Sequence, residues 1–275
     1  MRTANPIFTS DAFKKAQTWD DFERGRSGAA VRSPAGPVAA ARPRTMTVSG
    51  TINAALVLLA ITVAAAVGGW MLVAQNPGLI HPLWITGALG GLAVGFFLRF
   101  KPSLAIAVAP LYAVLEGAFL GPFSYVVAKF LGGPEIVFQG IALTFGTMFV
   151  LLIGYRAGLL RVSGTTARIV TVMTGAVMFV YLANFALHLF GVGQVPYLHE
   201  LVRLEGAGWI GIGFSVLCLV LAAFNLVMDF QFIEEGANAG LPKHMEWYAA
   251  FGLLVTLIWL YIEIVRLLIK LRSSD

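Results

Sequence analysis

The chain contains a single cysteine, Cys218, and very little charge. One cysteine cannot form an intramolecular disulfide or a metal site of the paired-cysteine kind. Only 12% of the residues are charged, whereas about a quarter are charged in an average soluble domain. The hydrophobic fraction is 58% over 275 residues. This composition excludes an ordinary soluble globular domain and indicates a protein embedded in a membrane.

Residues 1–46 differ from the rest of the chain because they hold several cations among Gly, Ala, Ser and Pro. They lack the apolar core of a secretory signal peptide. Such a stretch buries too little apolar surface to order itself, so we expect a flexible basic cytoplasmic tail at 1–46 and a membrane domain at 47–275. The net charge of +5 lies mostly in the tail and short loops, which favours a topology signal over a nucleic-acid partner.

After residue 47 the apolar runs have the length of a membrane-spanning helix, which needs about 20 residues to cross roughly 30 Å of hydrocarbon. Turn residues such as Asn76, Pro77 and Gly78 separate one run from the next. The sequence therefore predicts an all-α fold, a polytopic bundle of seven transmembrane helices. We place these helices at residues 50–73, 83–100, 102–123, 135–155, 168–191, 208–230 and 247–270.

Lys and Arg are concentrated in the tail and in the alternate segments that would share its side of the membrane. This asymmetry predicts a cytoplasmic N-terminus. With seven spans, Lys270 and Arg272 would lie outside, against that trend. A re-entrant last segment is the alternative that would remove the conflict.

Three acidic side chains lie within the predicted spans: Glu116 in the third, Asp229 near the inner end of the sixth and Glu263 well inside the seventh. A carboxylate at the bilayer centre costs about 2.5–3.5 kcal/mol on insertion scales, so it commonly faces the bundle interior and marks an ion or proton pathway. Structural interpretations stay open for all three. Glu263 could pair with Arg266 three residues later, Asp229 could be a hydrated interfacial carboxylate, and Glu116 could hydrogen-bond a neighbouring helix.

If Asp229 and Glu263 meet, they cannot both ionise easily and would share a proton. Such a pair would be a pH-sensitive latch, closed when protonated and opened by charge repulsion. When ionised, it would offer hard oxygen ligands to a transient Ca²⁺ ion. Tyr181, Asn184 and His188 form a polar stripe on the fifth helix, which favours interhelical hydrogen bonding over a pore lining.

Catalysis is not expected from these residues. A retinal pigment needs a lysine in the middle of a helix, and the last helix has lysines only at its ends. Ser215 lacks the surrounding turn of a catalytic nucleophile. An intramembrane aspartyl protease needs two aspartates, and the second acid here is a glutamate. We therefore expect no enzymatic activity and no cofactor.

The last two helices have a recognisable sequence. The stretch LVMDFQFIEEG, with GLPKHMEWYAAFGLLVTLIWLYIEIVRLL after it, is similar to the C-terminal half of the bacterial branch of the Bax inhibitor family. APLYAVLEGAFLGPFS and TMTVSGTINAALVLLA fit the same branch, so the resemblance covers roughly residues 45–272. It implies a seven-helix bundle in the bacterial cytoplasmic membrane, with the last helix central and the other six around it.

The resemblance also implies a function. Family members are similar to pH-sensitive Ca²⁺ leak channels in which an acid of the sixth helix and one of the seventh form a proton-sharing latch. Those positions carry over to Asp229 and to Glu263, where better-known members have aspartate. Channel members also have an acid in the second helix, which this sequence lacks, and Glu116 in the third is the residue that would compensate.

The expected partners are therefore the lipid bilayer, protons and Ca²⁺ as the permeant ion. The alternative is a non-conducting regulatory protein that binds another membrane protein, such as a protease or a stress-response component. A proton-coupled transporter is disfavoured because the two halves of the sequence show no convincing repeat.

Overall fold

The computed structural model describes residues 45–189 and 208–273, and this part of the chain is almost wholly helical. Seven of its helices are long and apolar enough to cross a membrane, which confirms the predicted all-α bundle. In chain order they are α1 (Val48–Gln75), α2 (Ile80–Phe100), α3 (Ala105–Val126), α4 (Pro134–Arg156), α5 (Gly164–Leu189), α6 (Trp209–Asn238) and α7 (Met245–Arg272).

Local sequence sets where several of these helices begin. The Thr47 hydroxyl accepts a hydrogen bond from the Gly50 N–H and thereby caps α1. Pro134 occupies the first position of α4, where a backbone N–H would have no helical partner. Gly133 precedes it with φ of 84°, a conformation that glycine adopts without a steric penalty. The turn residues in the sequence therefore act as helix boundaries.

The sixth helix is longer than predicted, because the prediction ended it at residue 230 and α6 continues to Asn238. Hydropathy falls after Phe230, but the following residues, QFIEEGAN, include good helix formers. Gly240, with φ of 66°, lies in the turn that follows. Asp229 consequently lies more than two turns before the end of the helix, not close to it.

The last helix is the central one among the described helices. In the most apolar 18-residue stretch of α7, 67% of the residues are buried, whereas the corresponding stretch of each other spanning helix is at most 39% buried. It packs against α1, α3, α4 and α6, while α2 packs on α3 and α5 packs on α6. Because α7 runs unbroken for 28 residues, about 42 Å, it has the length of a full span and is not a re-entrant segment.

The start of α1 is fastened to the start of α7. The buried Glu246 carboxylate accepts hydrogen bonds from the Thr47 N–H at 2.9 Å, the Thr47 hydroxyl at 2.8 Å and the Lys243 ammonium at 2.7 Å. Met46 is only 2% exposed, and its N–H donates to the α6–α7 loop. Met46, which the sequence placed in the tail, is therefore packed into the membrane domain. We call Thr47, Lys243 and Glu246 the clasp.

Candidate functional site

Glu263 is fully buried on the central helix. Its Oε1 accepts a hydrogen bond from the Tyr181 hydroxyl at 2.5 Å and another from the Trp259 indole N–H at 3.2 Å. Its Oε2 is also buried, and no described residue donates a hydrogen bond to it. Since the great majority of buried polar atoms have a partner, a half-satisfied carboxylate at the centre of a bundle points to a functional position.

Tyr181 of α5 connects the side chains around Glu263. Its hydroxyl lies 3.6 Å from the Cys218 sulfur on α6, and the Arg266 guanidinium lies 4.9 Å from the centroid of its ring. The second contact has the geometry of a cation–π interaction. Glu263 and Arg266, which the sequence offered as a direct pair, are thus linked through Tyr181. We call Tyr181, Cys218, Trp259, Glu263 and Arg266 the Glu263 cluster.

Lys270 extends this polar face of α7 one turn beyond Arg266. It is fully buried, and its ammonium donates to the Gly211 carbonyl at 2.8 Å and to the Ser215 hydroxyl at 2.9 Å, both on α6. Lysine is almost never fully buried unless it has partners of this kind. Arg272 donates to the Gly132 carbonyl. The two cations that conflicted with the charge asymmetry therefore bind other helices or their connections.

Asp229 lies on α6 against a different part of α7. A Cβ atom added to Gly252 would be 3.8 Å from its Oδ1, and the Thr256 side chain lies nearby, with its hydroxyl donating to the Gly252 carbonyl at 3.2 Å. Its Oδ2 is buried and receives no hydrogen bond from the described residues. Asp229 is therefore a second carboxylate in the membrane domain with one buried, unsatisfied oxygen.

The antiparallel register of α6 and α7 decides which of their residues face each other. Lys270 contacts the first turn of α6, and Gly252 faces Asp229. In the same register Glu263 faces Cys218. Asp229 lies beside Gly252 and Thr256, which precede Glu263 by 11 and 7 residues, or by about 16 Å and about 10 Å along the axis of α7. No hydrogen bond joins Asp229 to Glu263 in the described conformation.

Glu116 lies at the interface of α2 and α3. A Cβ atom at Gly91 would be 2.6 Å from Glu116 Oε1, so the absence of a side chain at Gly91 makes room for the carboxylate. Tyr112, one turn earlier on α3, lies next to it. The Tyr112 ring packs edge-on against Phe251 of α7 with centroids 4.8 Å apart. Glu116 is thus a third acid inside the bundle, connected to the central helix by an aromatic contact.

A family model described as Bax inhibitor 1 like matches residues 5–273, nearly the whole chain. The chain belongs to this family. A comparison with curated proteins found no match. The family assignment agrees with the resemblance seen in the last two helices, and the central position of α7 agrees with the fold that the resemblance implied.

In this Bax inhibitor-like protein the acids do not form a ready-made metal site. Across residues 45–189 and 208–273, no group of three or more His, Cys, Asp or Glu side chains could hold a metal ion. Ca²⁺ is held by oxygen ligands at 2.3–2.6 Å. One ion therefore cannot bind Asp229 and Glu263 together across about 10–16 Å, and the predicted joint Ca²⁺ site is not formed in this conformation.

Two residues near Glu263, Trp259 and Lys270, were not predicted from the sequence, although their spacing on α7 indicates that they share its face. Trp259 precedes Glu263 by four residues and Lys270 follows it by seven, so both share its face of the helix. The polar stripe of α5 does contribute an interhelical bond through Tyr181. The side chain of His188 lies outside the described part of the chain.

Proposed function

We propose that this Bax inhibitor-like protein is a pH-sensitive cation leak pathway with Ca²⁺ as its permeant ion, and that the described conformation is the closed one. The proposal rests on one observation. Asp229 and Glu263 each have one carboxylate oxygen beside protein groups and one buried oxygen without a described partner. Such an oxygen can receive a proton or meet a cation without first breaking a protein hydrogen bond.

The placement of the acids at different levels along α7 suits a leak better than a tight binding site. Conduction requires sites that attract an ion and still release it, which separate single carboxylates provide. Because Asp229 and Glu263 lie about 10–16 Å apart along the axis of α7, they act as two separate proton-binding sites in this proposal. This replaces the shared-proton latch that the sequence suggested.

Two buried basic residues that follow Glu263 on α7 support the proposal that this conformation is closed. Arg266 and Lys270 are buried on the same face of α7 and place positive charge where a cation would continue past Glu263. Opening therefore requires α5 or α7 to shift, so that these side chains leave the path. Protonation of the acids removes the negative charge that attracts a cation, so we expect flux to rise as the pH rises.

Ca²⁺ entry into proteoliposomes loaded with a fluorescent Ca²⁺ indicator tests this function. Asp229→Asn and Glu263→Gln should each lower the flux and flatten its pH dependence. Glu235→Gln is the matched control, because this exposed acid lies in the part of α6 beyond the apolar stretch. If both site variants conduct like the wild-type chain at every pH, the acids do not line the pathway.

A non-conducting regulatory role is the second candidate, and the Glu263 cluster supplies the observation that favours it. Arg266 and Lys270 are buried on the same helix as Glu263, and Arg266 stacks on the Tyr181 ring whose hydroxyl binds Glu263, an arrangement typical of a structural polar cluster. This role predicts no flux above that of empty liposomes. It also predicts that crosslinking through the basic tail, residues 1–46, recovers one membrane protein partner reproducibly.

A further inference from the structure

An apolar groove runs along the outside of the bundle between α1 and α4, with α7 as its floor. Both α1 and α4 pack on α7, and two cavities of about 570 Å³ and 770 Å³ lie between them. The two cavities share the side chains of Leu59, Phe145, Leu254 and Leu257, so they form one continuous depression. We call it the α1–α4 groove.

The α1–α4 groove is as long as the hydrocarbon layer is thick. Its lining includes Pro134 and Arg156, the first and last residues of α4. A helix of 23 residues is about 34 Å long, close to the roughly 30 Å of bilayer hydrocarbon. The hydroxyls of Thr62 and Thr144, which also line the groove, donate to carbonyls of their own helices. The two hydroxyls are therefore already hydrogen-bonded, and an acyl chain can pack against these positions without leaving a polar group unsatisfied.

Charge is confined to the end of the groove where α4 ends. Arg156, Arg161 and Glu234 line the 570 Å³ cavity there. Glu234 already accepts a hydrogen bond from the Tyr155 hydroxyl. Neither arginine makes a hydrogen bond or an ion pair with the residues that the structure describes. The mouth of the groove thus presents two exposed guanidinium groups beside a long apolar surface.

We propose that the α1–α4 groove binds an anionic phospholipid, whose acyl chains lie along Leu254 and Leu257 and whose phosphate contacts Arg156 and Arg161. Basic pockets between transmembrane helices bind anionic headgroups, and a guanidinium group matches phosphate geometry through paired hydrogen bonds. The mouth lies on the side of the membrane where α1 begins, which the charge asymmetry predicts to be cytoplasmic. The apolar side chains of the groove would contact the acyl chains, and the two arginines would favour an anionic headgroup over a neutral one.

Native mass spectrometry of the full chain tests this site directly. The protein is extracted in mild detergent with equal amounts of phosphatidylglycerol and phosphatidylethanolamine that carry the same acyl chains. A basic residue near the membrane surface favours an anionic lipid about fivefold, so two arginines predict a preference for phosphatidylglycerol of roughly 25-fold. Raising the salt concentration should reduce this preference because the headgroup contact is electrostatic.

Two sets of variants separate the headgroup contact from the chain contact. The double variant Arg156→Ala/Arg161→Ala should bring the two lipids to nearly equal retention. The double variant Arg99→Ala/Lys101→Ala removes the same charge on the same side but outside the groove, and should keep the preference. Ala55→Trp, which fills the groove, should reduce retention of both lipids.

Equal retention of the two lipids by the wild-type chain would overturn the proposal. It would also be overturned if the control pair reduced the preference as much as the groove pair did. Crosslinks that join the groove to the tail or to a second copy would show a protein occupant instead of a lipid. The melting temperature of each variant confirms that the comparison is between folded proteins.

Discussion

The separation of Asp229 from Glu263 can be measured as the absence of energetic coupling between them. Asp229→Asn and Glu263→Gln each remove a charge while nearly keeping the shape of the side chain. The structure places the two carboxylates against parts of α7 that are about 10–16 Å apart along its axis. In a double-mutant cycle we expect the changes in unfolding free energy of the single variants to add in the double variant.

The expected size of the coupling follows from this distance. At an effective dielectric constant of about 20, two unit charges interact by about 4 kcal/mol at 4 Å but by only about 1–2 kcal/mol at about 10–16 Å. Residues separated by more than about 10 Å usually behave additively unless they share a partner. Asp229 has Thr256 as its neighbour, whereas Glu263 is bound by Tyr181 and Trp259. A coupling of about 1–2 kcal/mol or less is therefore expected.

Denaturant titrations of the four proteins in one detergent and at one pH provide the free energies. Tyr181→Phe combined with Glu263→Gln is the positive control, since these side chains are hydrogen-bonded at 2.5 Å and should couple by about 1–3 kcal/mol. A coupling above about 3 kcal/mol between Asp229 and Glu263 would mean that the carboxylates are in contact. The register of α6 against α7 would then be wrong.

Two glycine positions provide further predictions, both measurable by thermal or chemical unfolding. Gly50→Ala would overlap the Glu246 carboxylate and displace it from its charged hydrogen bonds in the clasp, so it should cost about 2 kcal/mol. Gly68→Ala is the control, because its added carbon meets nothing within 4 Å, and it should leave the unfolding free energy unchanged or raise it. Equal changes in unfolding free energy at Gly50 and Gly68 would contradict the contact between Gly50 and Glu246. Gly91→Ala should lower the unfolding free energy by about 1–2 kcal/mol because the added carbon crowds the Glu116 carboxylate. The same substitution should cost less than half as much in a protein that already carries Glu116→Ala.

The number and approximate positions of the helices could be predicted because hydropathy alone determines which stretches can lie in lipid. The end of α6 could not, because hydropathy marks where a helix leaves the hydrocarbon and not where its hydrogen bonds stop. Residues Gln231–Asn238 are polar enough to leave the membrane and still favour a helix. Boundaries set by turn residues, such as Pro134 and Gly133, were predicted more closely than this one.

The pairing of Asp229 with Glu263 was carried over from the family motif, and the hairpin itself contradicts it. The turn at Leu241 lies 12 residues after Asp229 and 22 residues before Glu263. In an antiparallel hairpin, residues at equal distances from the turn face each other, so these two acids cannot meet while both helices are continuous. The unequal distances of Asp229 and Glu263 from the turn can be counted in the sequence, but the pairing was inferred from the family resemblance instead.

Charge was the other source of error, because Lys270 and Arg272 were interpreted only as signals of orientation. Lys270 is buried and bound to Ser215, so it says nothing about which side of the membrane it faces. Burial of a lysine depends on which helix packs against it. That is a tertiary property, and the 3.6-residue periodicity of α7 shows only that Lys270 shares a face with Glu263.

The position of α7 at the centre of the bundle has a consequence for how the protein is made. Glu263, Arg266 and Lys270 would each be costly for a single helix in lipid, by about 2.5–3.5 kcal/mol for a charge at mid-bilayer. Their described partners, Tyr181 and Ser215, lie on helices that are synthesised earlier. The central helix therefore leaves the ribosome after the described helices that hold its partners. The six helices before it must leave a polar slot open, and a chain that ends before α7 would expose that slot to lipid, where it becomes a target for membrane quality control.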